Sequence, residues 1–267
     1  MNVAAIGDNC IDVYTNKGVS FPGGGAVNFA VQAKRAGANV VYIGMLGTDA
    51  NGDWLASALQ AEGVDTSHLQ REQGSTAVAF VELRDSERTF IGADRGVRER
   101  LTISPETDAY LCDFDFIHTT LDGCVDAHIP GWSARGQMIS YDFSHRARPK
   151  QLELLPYITL AFFSGQKLAA GQVNQAAITY QQRGAKVVII TLGEQGSLAF
   201  DGQQHCLQPA LPVNVVDTLG AGDAFQAGFA VEYFASRSVK RALLAGAERA
   251  AETCQYLGGF GHGRHHE

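Results

Sequence analysis

Asp217-Thr218-Leu219-Gly220-Ala221-Gly222-Asp223-Ala224-Phe225-Gln226-Ala227-Gly228 sets three small residues ahead of a run that reads as the first turns of a helix. Small residues let the backbone approach a ligand closely. A glycine turn feeding a helix start leaves several N–H groups aimed at one spot, a ready anion site. The Asp223 carboxylate lies beside that spot, although a carboxylate and a bound phosphate repel each other. The pairing makes sense if Asp223 takes a proton from a hydroxyl while the N–H groups stabilise a phosphoryl group in transit. The same residues also suit a plain helix cap, since Asp is common at N-caps.

Working outward, the chain has 267 residues, enough for a large α/β domain with a substantial core. A net charge of -7 argues against nucleic acid as a partner, because phosphate backbones are bound by clustered Lys and Arg. The five cysteines form no Cys-x-x-Cys pair, which predicts free thiols in a reducing compartment. The first residues run straight into strand-like sequence without a signal-peptide pattern, and no apolar run reaches the roughly 20 residues of a membrane span. The expectation is a soluble cytoplasmic protein with neither nucleic-acid nor membrane partners.

Val3 to Gly7 reads as a strand whose end carries Asp8 and Asp12. Phe21 to Gly25 reads as a flexible turn before a helix from about Ala26 to Arg35. A buried strand over Val40 to Leu46 and a helix over Asn51 to Glu62 follow. Two β-prone runs, Thr76 to Leu83 and Thr89 to Val97, flank the polar turn Arg84 to Arg88 and predict a hairpin. Because it interrupts the strand–helix alternation, this hairpin is expected to leave the main sheet and form a small lid, with 13–21 beside it. Alternation resumes with strands near 116–120, 138–142, 159–163 and 186–191, which predicts a doubly wound, mostly parallel sheet flanked by helices. Ligands in that architecture bind beyond the C-terminal strand ends, where Asp8, Asp12, Asp142, Ser164 and Thr191 fall. One domain over 1–260 and a loose tail over 261–267 are expected.

Thr191-Leu192-Gly193-Glu194-Gln195-Gly196-Ser197 joins two strands through a glycine turn. It suits either close passage under a flat or phosphorylated ligand or an ordinary hairpin. A P-loop and a Gly-x-Gly-x-x-Gly after the first strand are both absent, which sets aside P-loop NTPases and dinucleotide-binding oxidoreductases. Asp49 to Asp53 is out of phase with a calcium loop, and His118, His128 and His145 show no metal-ligand spacing; the tail histidines could build a metal site, but a loose tail accounts for them better.

Three segments together resemble the ribokinase/PfkB family of carbohydrate kinases: Gly24-Gly25-Ala26-Val27-Asn28-Phe29-Ala30, Thr191 to Gly196, and Asp217 to Gly228. Residues 44–52 resemble a further family segment, and the likeness runs from the first strand to Cys254-Gln255-Tyr256. The resemblance implies a ribokinase-like fold with a small β-lid over the sugar. It implies that Asp223 is the catalytic base and that Gly220, Ala221 and Gly222 build the anion hole, closed by the Asp223 N–H. Thr191, Leu192, Gly193 and Gly196 would border ATP, which acts with Mg2+. Asp12, Gly24, Gly25 and Asn28 would hold sugar hydroxyls, and a monovalent cation, K+, would sit near Asp217. Where the family often carries Asn-x-x-Glu, this chain has Ser164-Gly165-Gln166-Lys167, so metal organisation falls to other groups such as waters held by Asp142 or Glu194.

Gly7 to Tyr14, Tyr141 to Ser144 and Ile190 to Glu194 are most similar to the fructoselysine 6-kinase group within that family. A fructosamine acceptor is zwitterionic and wants charged partners. Asp8 and the lid arginines Arg84, Arg88 and Arg95 are candidates, and a solvated hairpin face accounts for those arginines equally well. The rival readings are a kinase of a plain ketose, ribose or nucleoside, and a non-catalytic sugar- or nucleotide-binding regulator. The oligomeric state is open between monomer and homodimer.

Overall fold

The computed structural model describes residues 1–84 and 87–266. Asp85 and Ser86, the centre of the polar hairpin turn, lie outside the described residues. From the start of the chain, β1 (Asn2–Ile6), β2 (Cys10–Tyr14) and β3 (Val19–Gly23) lead into α1 (Gly25–Arg35). Then come β4 (Asn39–Ile43), β5 (Met45–Gly47), α2 (Ala50–Ala61), β6 (Gln70–Glu72), β7 (Val78–Arg84) and β8 (Glu87–Asp94). The middle of the chain supplies α3 (Pro105–Tyr110), β9 (Phe116–Thr120), α4 (Ile129–Ala134), β10 (Ile139–Ser144), β11 (Leu160–Ser164) and α5 (Val173–Gln182). The last third holds β12 (Val187–Thr191), β13 (Ser197–Phe200), β14 (His205–Gln208), α6 (Ala221–Ser236), α7 (Val239–Thr253) and β15 (Arg264–His265).

Eight strands form the main sheet in the order β14-β13-β12-β11-β10-β9-β1-β4. Six of them, from β12 to β4, run parallel; β13 and β14 are antiparallel additions at one edge. The unbroken apolar strands follow from burial on both faces. Val3 and Ala5 pack with Phe29, Leu55 and Phe229 on one side. Ala4 and Ile6 pack with Ile129, Trp132 and Ala177 on the other. The strand-period alternation of side chains therefore feeds two separate cores.

A second sheet, in the order β15-β3-β2-β7-β8, forms the lid. Two local expectations change here. Phe21 to Gly23 is not a flexible turn: it pairs antiparallel with β2, Cys10 opposite Gly23. Nor do the last described residues run loose, since Arg264 pairs with Ser20 and His265 with Val19. Arg264 also lies 4.5 Å over the Trp54 ring, and His262 contacts Glu62 of the main body at 2.8 Å. The polar sequence of this segment hid the pairing, because β-propensity mostly reflects packing rather than intrinsic preference.

Candidate active site

The carboxyl ends of five neighbouring parallel strands place Thr191, Ser164, Asp142, Thr120 and the residues after Ile6 along one rim. The turn after β1 puts Asp8 against the start of α1. Its Oδ2 accepts from Gly25 N at 2.7 Å, and its Oδ1 accepts from Ala26 N at 3.3 Å and Thr120 Oγ1 at 2.7 Å. Asp8 thus completes the first turn of α1, whose preceding residue Gly24 has φ 106° and supplies no side-chain cap. Both carboxylate oxygens are engaged, so Asp8 braces the start of α1 and the Thr120 hydroxyl.

Asp12 is buried on the lid strand β2 and lies over Gly23, where an added Cβ would meet Asp12 Oδ2 at 2.0 Å. The Cys10 thiol donates to Asp12 Oδ1 at 3.4 Å, and burial together with the Asp12 and Asp8 charges pushes that thiol well above its usual pKa. Asn28, one turn into α1, donates through Nδ2 to Asp223 Oδ2 at 2.7 Å. Its Oδ1 is buried without a hydrogen-bond partner. Glycine side by side with glycine makes this contact: Gly220 has φ 76° in the left-handed region, and a Cβ there would come within 2.6 Å of Gly259 Cα.

At the start of α6 the Ala221 N–H is directed at the Thr218 carbonyl, 3.3 Å away. A Cβ built on Gly222 meets nothing within 4 Å, so open space lies over the helix start. One turn further on, Gln226 donates to Asp142 at the end of β10. Removal from water pushes the Asp142 carboxyl up to about 6, against the lowering effect of the Ser144 N–H and Gln226. Asp142 and Asp223 are therefore both tied to α6 or α1 amide side chains.

Thr191 ends β12 with its Oγ1 3.4 Å from the Phe163 carbonyl, and Leu192 N closes on Gly196 O at 2.8 Å. Gly193 bounds open space, and Gly165 N bonds Thr191 O at 2.8 Å. The turn sits beside the departure from Asn-x-x-Glu at Ser164 to Lys167. Among the described residues no group of three His, Cys, Asp or Glu could hold a metal ion.

Two placements add to the sequence reading. Asp217 is fully buried, and its carboxylate accepts from the Tyr14 hydroxyl, Leu219 N at 3.0 Å and Gly258 N at 3.0 Å. It is a junction between lid strand and body. Arg95 is exposed and paired with Glu99, while Arg98 turns inward, with Nη1 3.4 Å from the Asn9 carbonyl. Nothing in the spacing of Arg95 and Arg98 distinguishes them; the short turn at 98–100 decides which one faces the site.

The profile described as pfkB family carbohydrate kinase matches residues 2–260. A fructoselysine 6-kinase of Shigella flexneri is 39% identical over 97% of this chain and 99% of its own length. Fructosamine kinase FrlD of Bacillus subtilis (strain 168) is 34% identical over 98% of this chain and 94% of its own. A crystal structure from E. coli, assigned as a ribokinase II and solved in complex with ATP and Mg2+, superposes with a TM-score of 0.80 at 22% identity. That superposition covers 97% of this chain and 94% of the other. The chain belongs to the pfkB family of carbohydrate kinases.

Proposed function

We propose that this carbohydrate kinase transfers the γ-phosphoryl group of ATP to the 6-hydroxyl of a fructosamine, fructoselysine or a related adduct. The names of its relatives over nearly the whole chain support the acceptor class. The observation that carries the chemistry is the Asn28–Asp223 contact beside the open space at Gly222. It sets a carboxylate in the first turn of a helix, beside open space over Gly222.

In this reading Asp223 accepts the proton of the sugar hydroxyl as bonding to the γ-phosphorus develops. The N–H groups at the start of α6, Gly222 foremost, offset charge on the phosphoryl oxygens. Asn28 holds Asp223 in place, and its unpartnered Oδ1 takes a sugar hydroxyl. Asp12 takes another from the lid side, with Gly24 and Gly25 allowing the ring close to the backbone. Thr191, Leu192, Gly193 and Gly196 border the nucleotide.

Magnesium supplies charge neutralisation on the phosphates. With no acidic triad among the described residues, it would arrive on ATP and keep most of its waters, as Mg2+ prefers. Asp142 and Glu194 are the carboxylates that would hold those waters. Asp217, held by the Tyr14 hydroxyl and the N–H groups of Leu219 and Gly258, is the residue near which a monovalent cation, potassium, would sit.

The test is ADP release with Mg-ATP on fructoselysine, other fructosamines, fructose, ribose and a nucleoside, with Asp223→Asn alongside. Turnover on fructosamines that the variant loses supports the proposal. Turnover on a plain sugar instead overturns the acceptor, and an unimpaired variant overturns the base.

A further inference from the structure

Residues 258–266 follow α7 and run from the body to the lid, and 261–266 lie beyond the stretch that the family profile matches. On the body, Arg35 donates to the Phe260 carbonyl at 2.9 Å, and His262 pairs with Glu62, which caps the end of α2. Arg264 lies over the ring of Trp54 in the same helix. On the lid, Arg264 and His265 pair with Ser20 and Val19 of β3. The His266 N–H donates to the Gly18 carbonyl at 2.8 Å, and its ring meets the Ser20 hydroxyl. Covering the edge of β3 needs only this second set of contacts. The segment makes both sets, and so joins lid to body.

The same segment backs the two residues assigned to the acceptor. Phe21 of β3 stands directly opposite Asp12 of β2, and opposite residues of an antiparallel pair share a face. Gly258 and Gly263 both lie against the Phe21 ring: a Cβ built on the first would fall 2.6 Å from it, and one on the second 2.4 Å. Between them, Gly259 abuts Asn28, where an added Cβ would meet the side-chain amide at 2.3 Å. The Gly259 carbonyl also accepts from Gln32 of α1 at 3.0 Å. With packing this close, any shift of the segment has to be taken up by Phe21 and Asn28.

Resting on the reading that Asp12 and Asn28 hold the acceptor, we propose that residues 258–266 form a strap that positions both. It sets Asp12 through Phe21 and Asn28 through Gly259, and it anchors the lid to α2 through His262 and Arg264. The nucleotide turn between β12 and β13 belongs to the other end of the main sheet, so the strap governs acceptor binding and not ATP binding.

The experiment compares the wild type, a chain ending at Phe260, Gly263→Ala and Asp12→Asn. Steady-state ADP release with fructoselysine and Mg-ATP gives both KM values, and hydrogen exchange without ligand follows the amides of β2. That strand is bonded to β3 and β7, not to the strap, so faster exchange there reports a loosened lid rather than an uncovered edge. Ending the chain at Phe260 is expected to speed β2 exchange and to raise KM for fructoselysine at least about 10-fold, with KM for ATP unchanged. The backbone at Gly263 has no positive φ, so Gly263→Ala acts by pushing on Phe21 and should also raise the acceptor KM. Adding Phe21→Leu to Gly263→Ala should recover part of the loss, because the shorter side chain vacates the space the methyl takes.

An acceptor KM within about twofold of wild type in the shortened chain, an equal rise in both KM values, or unchanged β2 exchange overturns the proposal. If the shortened chain fails to fold, Gly263→Ala and its rescue by Phe21→Leu decide, and absence of rescue overturns it. Failure of the underlying reading looks different. A wild type that does not turn over fructoselysine, or an Asp12→Asn variant with unchanged acceptor KM, removes the acceptor wall, and β2 exchange then decides for or against the strap.

Discussion

Asn28 in the first helix and Asp223 in the sixth meet at 2.7 Å although 195 residues separate them. The contact ties the Asp223 carboxylate to the first helix. Asp223→Asn is expected to lower kcat by about 10²- to 10⁴-fold, the usual worth of a positioned acid or base, with ligand affinity retained. Asn28→Ala should cost less, roughly 10- to 100-fold, because the base survives but loses a charge-assisted hydrogen bond. Steady-state ADP release and calorimetric titration with the nonhydrolysable nucleotide read the two effects.

Gly222 separates stability from turnover. Among the described residues, nothing beyond its chain neighbours and its own helix backbone stands within 4 Å of a Cβ there, and the residue lies in the first turn of α6. Gly222→Ala should leave the fold intact or stabilise it by up to about 1 kcal/mol, as alanine generally does in a helix. If the open space receives the phosphoryl group, the methyl should lower kcat/KM at least about 10-fold. Unchanged turnover in a folded variant would place the phosphoryl group elsewhere.

Asp142 and His118 oppose each other with pH. The Asp142 carboxyl is raised to about 6 by burial, so its contribution to stability is present below its unfolded value and is lost as pH rises toward 6. His118, stacked 3.5 Å from Phe29 and bonded to Ser140, is lowered to about 3, so its contribution is present above 6.5 and is lost on acidification. Between pH 4 and 6 the two slopes cancel. Asp142→Asn removes one of them, and the variant should gain about 2 kcal/mol relative to wild type from pH 4 to pH 6. Urea denaturation at pH 4, 5 and 6 checks the sign; parallel curves for the two proteins would refute it.

Tyr14→Phe tests the lid junction. Its hydroxyl is one of three donors to the buried Asp217, and the other two are backbone N–H groups. Loss of one hydrogen bond to a buried charge should destabilise by about 1.5–3 kcal/mol. The variant should also raise KM for the sugar more than for ATP, because β2 carries both Tyr14 and Asp12. Equal effects on both substrates would argue that the junction serves the whole fold instead.

The glycine signatures were legible because backbone geometry is local: Gly220 and Gly24 take positive φ where the sequence places them between strand and helix. The parallel sheet was legible from apolar runs buried on both faces, such as Val187 to Ile190. What stayed hidden depends on distant partners. The hydrogen bonds of Asp217 stayed hidden because Tyr14 and Gly258 are far away in sequence, and β15 read as loose because the residues around it are polar. Arg98 was invisible for a different reason. Three arginines in one short stretch look alike until the turn fixes which one points inward.

The order of synthesis gives the Asn28–Asp223 contact a last consequence. A ribosome working at 5–20 residues per second delivers Asp223 roughly 10–40 s after Asn28, the two being 195 residues apart. During that interval β1 can gain both sheet neighbours, β4 and then β9, while Asn28 still lacks the Asp223 carboxylate it will bond. The Asn28–Asp223 contact therefore closes only after the sixth helix has been made and docks against the first.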